Sequence, residues 1–116
     1  MKLTEVARKL RAEVVCGEVD EGVEITSVCA GELMSDVLAF SRPGSLLLTG
    51  LTAPQAVRTA EMSDMRAVCF VWGKKPPPET VALAEEVGIP LITTRFSIFR
   101  ASGELFAAGL TDSDDR

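Results

Sequence analysis

Three apolar segments separated by helical patterns lie between residues 45 and 94 of the sequence. They are SLLLTG, RAVCFVWG and IPLITT, at residues 45–50, 66–73 and 89–94. Each is a continuous apolar run rather than an alternating one, which is typical of strands covered on both faces of a parallel sheet. The segments between them, residues 54–65 and 76–88, begin with proline, which is favoured in the first turn of a helix. This order predicts a three-layer α/β/α domain with a small, mostly parallel sheet.

Weaker patterns predict further elements at both ends of the chain. LTEVARKLRA has apolar residues at helical spacing, with Thr4 as its expected N-cap, and a last helix is expected to begin near Ser97. The other predictions are extended segments at EVVC and GVEITSVCAG and a short helix at ELMSDVLAF.

The length of 116 residues fits one domain with a real core. We assign residues 1–110 to this single domain. The remaining segment, TDSDDR at 111–116, is expected to be a flexible acidic tail.

The composition excludes several kinds of chemistry. The chain has no histidine, the commonest general base and metal ligand. Its three cysteines, Cys16, Cys29 and Cys69, are widely spaced and form no C-x-x-C pair, so neither a disulfide framework nor a zinc site is expected. An acid–base role for Asp36 with Ser35 or Cys29 has no motif to support it. We therefore expect no enzyme, no metal and no cofactor.

Charge and hydropathy limit the partners. A net charge of −5 argues against binding to nucleic acid. No apolar run approaches the roughly 20 residues needed to cross a bilayer. The N-terminus, MKLTEVARKLRAEVV, mixes charged and apolar residues, unlike the apolar core of a signal peptide. We expect a cytoplasmic protein without a membrane partner.

Candidate ligand residues follow the predicted strands. Ligands of open parallel sheets bind at the carboxyl ends of the strands, where helix N-termini also favour anions. Lys74 and Arg95 fall in the loops at this edge, where they predict a modest phosphate or carboxylate site. The alternative is that the lysine is only a solvated loop residue. No Walker A or G-x-G-x-x-G motif is present. The candidates at this edge are Thr49, Gly50, Thr52, Lys74, Thr94 and Arg95.

The segment CAGELMSDVLAF adds two more candidates, Ser35 and Asp36. One hypothesis is that these side chains cap or orient a neighbouring loop. The other is that Asp36 reaches the ligand edge and binds a hydroxyl or an ammonium group. Trp72 ends the second strand, and we expect it to fill the edge of the core, with ligand stacking and a subunit contact as alternatives.

From about residue 14 to 110 the chain resembles the DRTGG domain family. The resemblance rests on SDVLA, LLLTG, AVCFVWG, ETVALAEEVGIPLITT and SIFRASGELFAAGL, although no DRTGG string occurs. It implies a fold similar to that of the N-terminal domain of HPr kinase/phosphorylase. Members occur attached to phosphate acetyltransferases, between CBS domains in regulated pyrophosphatases, and as stand-alone proteins near hydrogenase components.

The resemblance implies a non-catalytic regulatory or scaffold module that forms a homodimer and docks on a metabolic or hydrogenase-related redox enzyme. The apolar residues Phe96, Ile98, Phe99 and Phe106 are candidates for the contact, or they pack on the sheet within one subunit. The alternative function is a small-molecule sensor that binds a nucleotide or another anion at the carboxyl ends of the strands.

Overall fold

The structure, a computed structural model, describes residues 1–114. Its helices are α1 (Leu3–Lys9), α2 (Met34–Phe40), α3 (Pro54–Met62), α4 (Pro78–Val87) and α5 (Ile98–Ala107). Its strands are β1 (Glu13–Cys16), β2 (Ser27–Ala30), β3 (Ser45–Thr49), β4 (Ala67–Phe70), β5 (Leu91–Thr93) and β6 (Thr111–Asp112). Within this part of the chain, no helix is long and apolar enough to cross a membrane.

The six strands form one sheet in the order β1-β5-β4-β3-β2-β6. Every neighbouring pair is parallel except β1 and β5, which are antiparallel. Helices cover both faces, so the predicted three-layer α/β/α domain with a mostly parallel sheet is confirmed.

Each central strand contributes to two cores, because successive side chains point to opposite faces of a sheet. Leu46 and Leu48 pack with α1 and α5 on one face, and Leu47 packs with α2, α3 and α4 on the other. None of the three leucines has exposed surface. Since burial of one leucine contributes roughly 1.5–3 kcal/mol, a strand of this kind gains from apolar residues at every position.

The N-cap predicted for α5 is confirmed, whereas the N-cap predicted for α1 is not. The Ser97 hydroxyl accepts a hydrogen bond from the Arg100 N–H at 3.1 Å, which makes it the N-cap of α5 as expected. The expectation for Thr4 was wrong, because Lys2 is the N-cap of α1. An antiparallel bridge between Lys2 and Glu24 fixes the chain in an extended conformation up to that residue, so the helix begins immediately after it.

The C-terminal segment differs from the tail that we expected at residues 111–116. Thr111 and Asp112 pair with Ser27 and Val28 as a short sixth strand. The Ser113 N–H continues the pairing to the Val28 carbonyl at 2.9 Å. The free edge of β2 satisfies these backbone groups, which the acidic composition of the segment did not indicate. Residues 115–116, the end of the expected tail, lie outside the described residues.

The connections after β4 and β5 leave the sheet on opposite faces. After β4 the chain enters α4 in the layer with α2 and α3, whereas after β5 it enters α5 in the layer with α1. Such a divergence opens a crevice between the carboxyl ends of two neighbouring strands, and ligands of open α/β sheets bind in these crevices.

Candidate ligand site at the carboxyl edge of the sheet

A cavity of about 340 Å³ lies at this crevice, and we call it the β4–β5 cavity. It is lined by Arg11 and Glu13 before and within β1, by Gly73 and Lys75 after β4, and by residues 93–95 at the end of β5. Its volume is at the lower end of the range of small-molecule pockets, roughly 300–1,000 Å³. The cavity is therefore large enough for a small ligand.

The charged groups of the β4–β5 cavity are mostly cationic. Arg11, Lys75 and Arg95 face a single carboxylate, that of Glu13, although the chain as a whole carries a net charge of −5. The Lys75 ammonium lies 2.9 Å from the Glu13 carboxylate. Its hydrogen bond and its charge, with a smaller effect from Arg95, hold the pKa of Glu13 below the usual value. The remaining excess of positive charge favours an anionic ligand.

A strained turn forms one edge of the cavity. Trp72 and Gly73 both adopt left-handed backbone conformations, with φ of 63° and 67°, and the Lys74 N–H donates to the Val71 carbonyl at 3.2 Å. A bulky residue rarely adopts positive φ, and the cost is of order 1–3 kcal/mol. Backbone strain of this kind is common at functional sites.

The Trp72 side chain is not where we expected it. It is 62% exposed rather than filling the edge of the core. The backbone explains the difference, because the left-handed conformation takes the chain out of the β4 direction after Val71. The Trp72 N–H donates to the Phe96 carbonyl at 2.9 Å, which fixes the residue beside the segment that follows β5.

A second group of candidate residues surrounds Glu32, a residue that the sequence-based list of candidates missed. The Gly50 N–H donates to both Glu32 carboxylate oxygens, at 2.9 and 3.0 Å, and the Thr49 hydroxyl donates at 3.2 Å. The Lys74 ammonium donates to the Gly50 carbonyl at 3.2 Å. Glu32 therefore occupies the position in which a bound anion would meet the backbone after β3.

The register of β2 and β3 explains why Glu32 meets the backbone after β3. Ala30 of β2 pairs with Leu48 of β3, so the residues after the two strands meet at the sheet edge. An acidic residue two positions after β2 is thus placed against the first free N–H after β3. This pairing is visible only once the register is known.

Two of the candidate threonines make internal hydrogen bonds. The Thr94 hydroxyl, which is buried, donates to the Leu10 carbonyl at 2.6 Å and accepts from the Phe96 N–H at 3.2 Å. The Thr52 carbonyl accepts from the Thr80 hydroxyl at 2.7 Å, which ties the loop after β3 to α4. Both residues therefore hold neighbouring segments together at the edge of the sheet.

Ser35 and Asp36 lie apart from the β4–β5 cavity, on the exposed side of α2. Asp36 lines a different cavity, of about 220 Å³, together with Glu32, Asp112 and Asp114. The carboxylates of this second cavity disfavour an anion. No cluster of three or more His, Cys, Asp or Glu side chains in residues 1–114 has an arrangement that could hold a metal ion.

The three cysteines are free thiols, and their environments oppose ionisation. Burial raises the pKa of Cys69 to about 12. Burial also raises the pKa of Cys29 and of Cys16 above the usual value. A reactive cysteine needs a lowered pKa, so none of these thiols has the environment of a nucleophile.

Comparison with known proteins identifies the family. The sequence profile of the DRTGG domain matches residues 5–108. The chain belongs to the DRTGG domain family. The match covers most of the described chain, including both strands that border the β4–β5 cavity, so the site lies inside the DRTGG domain.

A solved structure agrees with this assignment. The DRTGG domain described here is similar to the crystal structure of the CBS and DRTGG domains of the regulatory region of Clostridium perfringens pyrophosphatase, complexed with the activator diadenosine tetraphosphate. The TM-score is 0.67 at 17% sequence identity, a likeness of fold, and the match covers 90% of this chain and 45% of that one. This chain thus spans less than half of the neighbour. No curated protein showed significant similarity.

Proposed function

We propose that this DRTGG domain is a non-catalytic regulatory or scaffold module that self-associates through the exposed face of α5. The observation that carries the proposal is the exposure of two large aromatic side chains on one helix, Phe99 at 88% and Phe106 at 77%. The other two candidates for this contact, Phe96 and Ile98, pack against the core of their own subunit. Exposed aromatic residues on one face are typical of protein interfaces.

The spacing of α5 supports a close helix contact. Phe99, Gly103 and Phe106 lie three and four residues apart, so they share one face of the helix. A Cβ at Gly103 would meet nothing within 4 Å inside the subunit. Glycine within a helix costs roughly 0.5–1 kcal/mol relative to alanine. Close approach of a second helix would explain why glycine occupies position 103.

The same face is self-complementary, which favours a second copy of this chain as its partner. Arg100 and Glu104 form an ion pair of 3.8 Å beside the aromatic residues. In a two-fold antiparallel arrangement centred between Ser102 and Gly103, Phe99 lies opposite Phe106 of the second copy and Arg100 lies close to its Glu104. A groove of about 420 Å³ beside α5, partly lined by Val28 and Leu110, offers space for an inserted aromatic ring.

Sedimentation velocity over a range of protein concentrations tests self-association. We expect a dimer for the wild type and a monomer for Phe99→Glu, because a buried charge opposes the contact. Met62→Glu is the matched control, since Met62 is 73% exposed on α3, in the opposite helical layer. A monomeric wild type, or a dimer that persists in Phe99→Glu, would refute this interface.

Docking of the dimer on a metabolic or hydrogenase-related redox enzyme in the cytoplasm is part of the same proposal.

A specific observation also supports the second candidate function, an anion sensor at the carboxyl ends of the strands. The β4–β5 cavity carries three cations and one carboxylate. We expect inorganic phosphate to raise the melting temperature of the wild type but not of Arg95→Gln. Arg58→Gln is the control, because Arg58 is an exposed arginine of α3 that lies 3.7 Å from Glu61. Equal stabilisation of Arg95→Gln and the wild type would place any anion site elsewhere.

A further inference from the structure

We propose that the β4–β5 cavity binds a nucleoside phosphate, with its base stacked on the indole of Trp72 and its phosphate held by Arg95 and Arg11. This inference rests on the sensor function proposed above and names the class of its ligand. It combines two observations that the fold alone does not explain, a cationic cavity and an exposed tryptophan in a strained turn beside it.

The position of Trp72 is fixed by its backbone. Its N–H donates to the Phe96 carbonyl at 2.9 Å, and the N–H of the next residue, Gly73, donates to the Thr94 carbonyl at 2.8 Å. Gly73 lines the β4–β5 cavity, so the backbone of Trp72, the preceding residue, lies beside this cavity. These hydrogen bonds hold the left-handed conformation, in which most of the indole remains in solvent.

Within the subunit, the exposed side chain and left-handed backbone of Trp72 cost free energy and gain little burial in return. A tryptophan gains most from burial, yet 62% of Trp72 is exposed, and its left-handed φ is unfavourable for any residue with a large side chain. A ligand ring that covers the indole face would provide the missing burial. Purine and pyrimidine bases stack on aromatic side chains regardless of sequence, because every base has a π-face.

The charges of the cavity define the rest of the ligand. Lys75 is paired with Glu13 at 2.9 Å. Arg95 and Arg11, whose guanidinium lies 6.0 Å from the centroid of the Phe96 ring, are the other cations of the cavity that can meet an anion. Arginine presents several N–H donors in a planar array that matches phosphate oxygens. A ligand with an aromatic ring at one end and a phosphate at the other satisfies both halves of the site. A nucleoside monophosphate is a common compound of this kind.

Trp72 is the only tryptophan of the chain, so its fluorescence reports directly on the site. The test is a titration of the wild-type protein with AMP, ribose 5-phosphate and adenosine, followed by tryptophan fluorescence and by thermal unfolding. N-acetyltryptophanamide measured with the same ligands corrects for absorption by the base. We expect AMP to quench the fluorescence in a saturable manner, and to bind roughly ten- to a hundredfold more tightly than ribose 5-phosphate, as base stacking on an aromatic side chain predicts.

Three variants and one control variant separate the contributions. Trp72→Leu should lose the preference for AMP over ribose 5-phosphate in thermal unfolding, whereas Trp72→Phe should keep part of it because a phenyl ring still stacks. Arg95→Gln should weaken both ligands. Arg58→Gln, on α3, should behave like the wild type.

The outcomes distinguish this inference from the sensor function on which it rests. Equal affinity for AMP and ribose 5-phosphate, or an unchanged preference in Trp72→Leu, would overturn the stacking role and leave an anion sensor. Absence of any response to AMP, ribose 5-phosphate and inorganic phosphate would overturn both. The dimer contact of α5 is measured separately and does not depend on either result.

Discussion

The carboxylate of Glu32 accepts two hydrogen bonds from the backbone N–H of Gly50, at 2.9 and 3.0 Å. The second residue after β2 and the first residue after β3 are thereby joined by a side chain where many α/β proteins bind an anion to a free N–H. Because the Glu32 carboxylate occupies this N–H, we expect an anion to bind at the crevice between β4 and β5 rather than after β3.

Replacement of Glu32 by alanine should destabilise the domain by about 1 kcal/mol, the usual value of a hydrogen bond lost from a partly exposed position. Chemical denaturation measures the free energy of unfolding. Asp36→Ala is the control, because Asp36 lies four residues further on, exposed on α2. An effect of Asp36→Ala as large as that of Glu32→Ala would show that general charge, rather than the contact with Gly50, is responsible.

Thr94→Val should lower the free energy of unfolding by about 1–3 kcal/mol, because the substitution leaves the buried Leu10 carbonyl without the hydroxyl that donates to it at 2.6 Å. Thr52→Val, at the same edge of the sheet, should change the free energy of unfolding by less than about 0.5 kcal/mol, since the internal hydrogen bond of Thr52 uses its backbone carbonyl. Denaturant titration of the two variants decides between a structural role and a ligand role for Thr94. Equal stabilities, with ligand binding lost only in Thr94→Val, would contradict the structural role.

Cys69 should resist alkylation by iodoacetamide in the folded protein at about pH 8, because burial raises its pKa to about 12 and leaves almost no thiolate. Cys29 should also react slowly, since burial raises its pKa, whereas half-buried Cys16 should react first. Mass spectrometry of peptides from timed samples gives the three rates, with the urea-unfolded protein as the control. Rapid alkylation of Cys29 would revive a reactive role for that thiol.

The Glu13–Lys75 ion pair predicts a small acid sensitivity. The folded pKa of Glu13 is lowered, chiefly by the hydrogen bond from Lys75, so the pair stabilises the fold above the unfolded pKa of about 4.5 and loses this effect as pH falls through the folded value. Glu13→Gln should therefore lower the melting temperature slightly at about pH 7 and have a smaller effect at about pH 3. Thermal unfolding at both pH values, with Glu86→Gln on α4 as control, provides the test. A Glu13→Gln effect that persists at acid pH would have another cause.

The fold could be predicted from the sequence because its signals are local. The continuous apolar runs around Leu47, Val68 and Ile92 indicate strands covered on both faces, and Pro54 and Pro78 indicate where helices begin. These patterns depend only on neighbouring residues.

The site could be predicted only in part, because half of it depends on long-range pairing. The rule for parallel sheets places the loops after β4 and β5 at the carboxyl edge, which is why Arg95 was a candidate. The candidate from the loop after β4 was Lys74, whereas Lys75 is the lysine that lines the β4–β5 cavity. Arg11 and Glu13 enter the β4–β5 cavity only because β1 pairs with β5 in the antiparallel direction. The exposure of Trp72 depends on a backbone conformation that is unusual for tryptophan. The usual tendency of tryptophan to be buried therefore predicted the opposite, a side chain at the edge of the core.

The edge strands also determine the order in which this chain can fold during synthesis. Residues 13–16 pair only with residues 91–93, and residues 111–112 close the other edge against β2. Strand β1 therefore cannot pair in the sheet until β5 has been synthesised. Contacts of such large sequence separation slow folding. Until the segments from β3 to α5 have been added, Leu3, Val6 and Leu10 lack most of the core that covers them, and apolar surface exposed in this way promotes aggregation during folding.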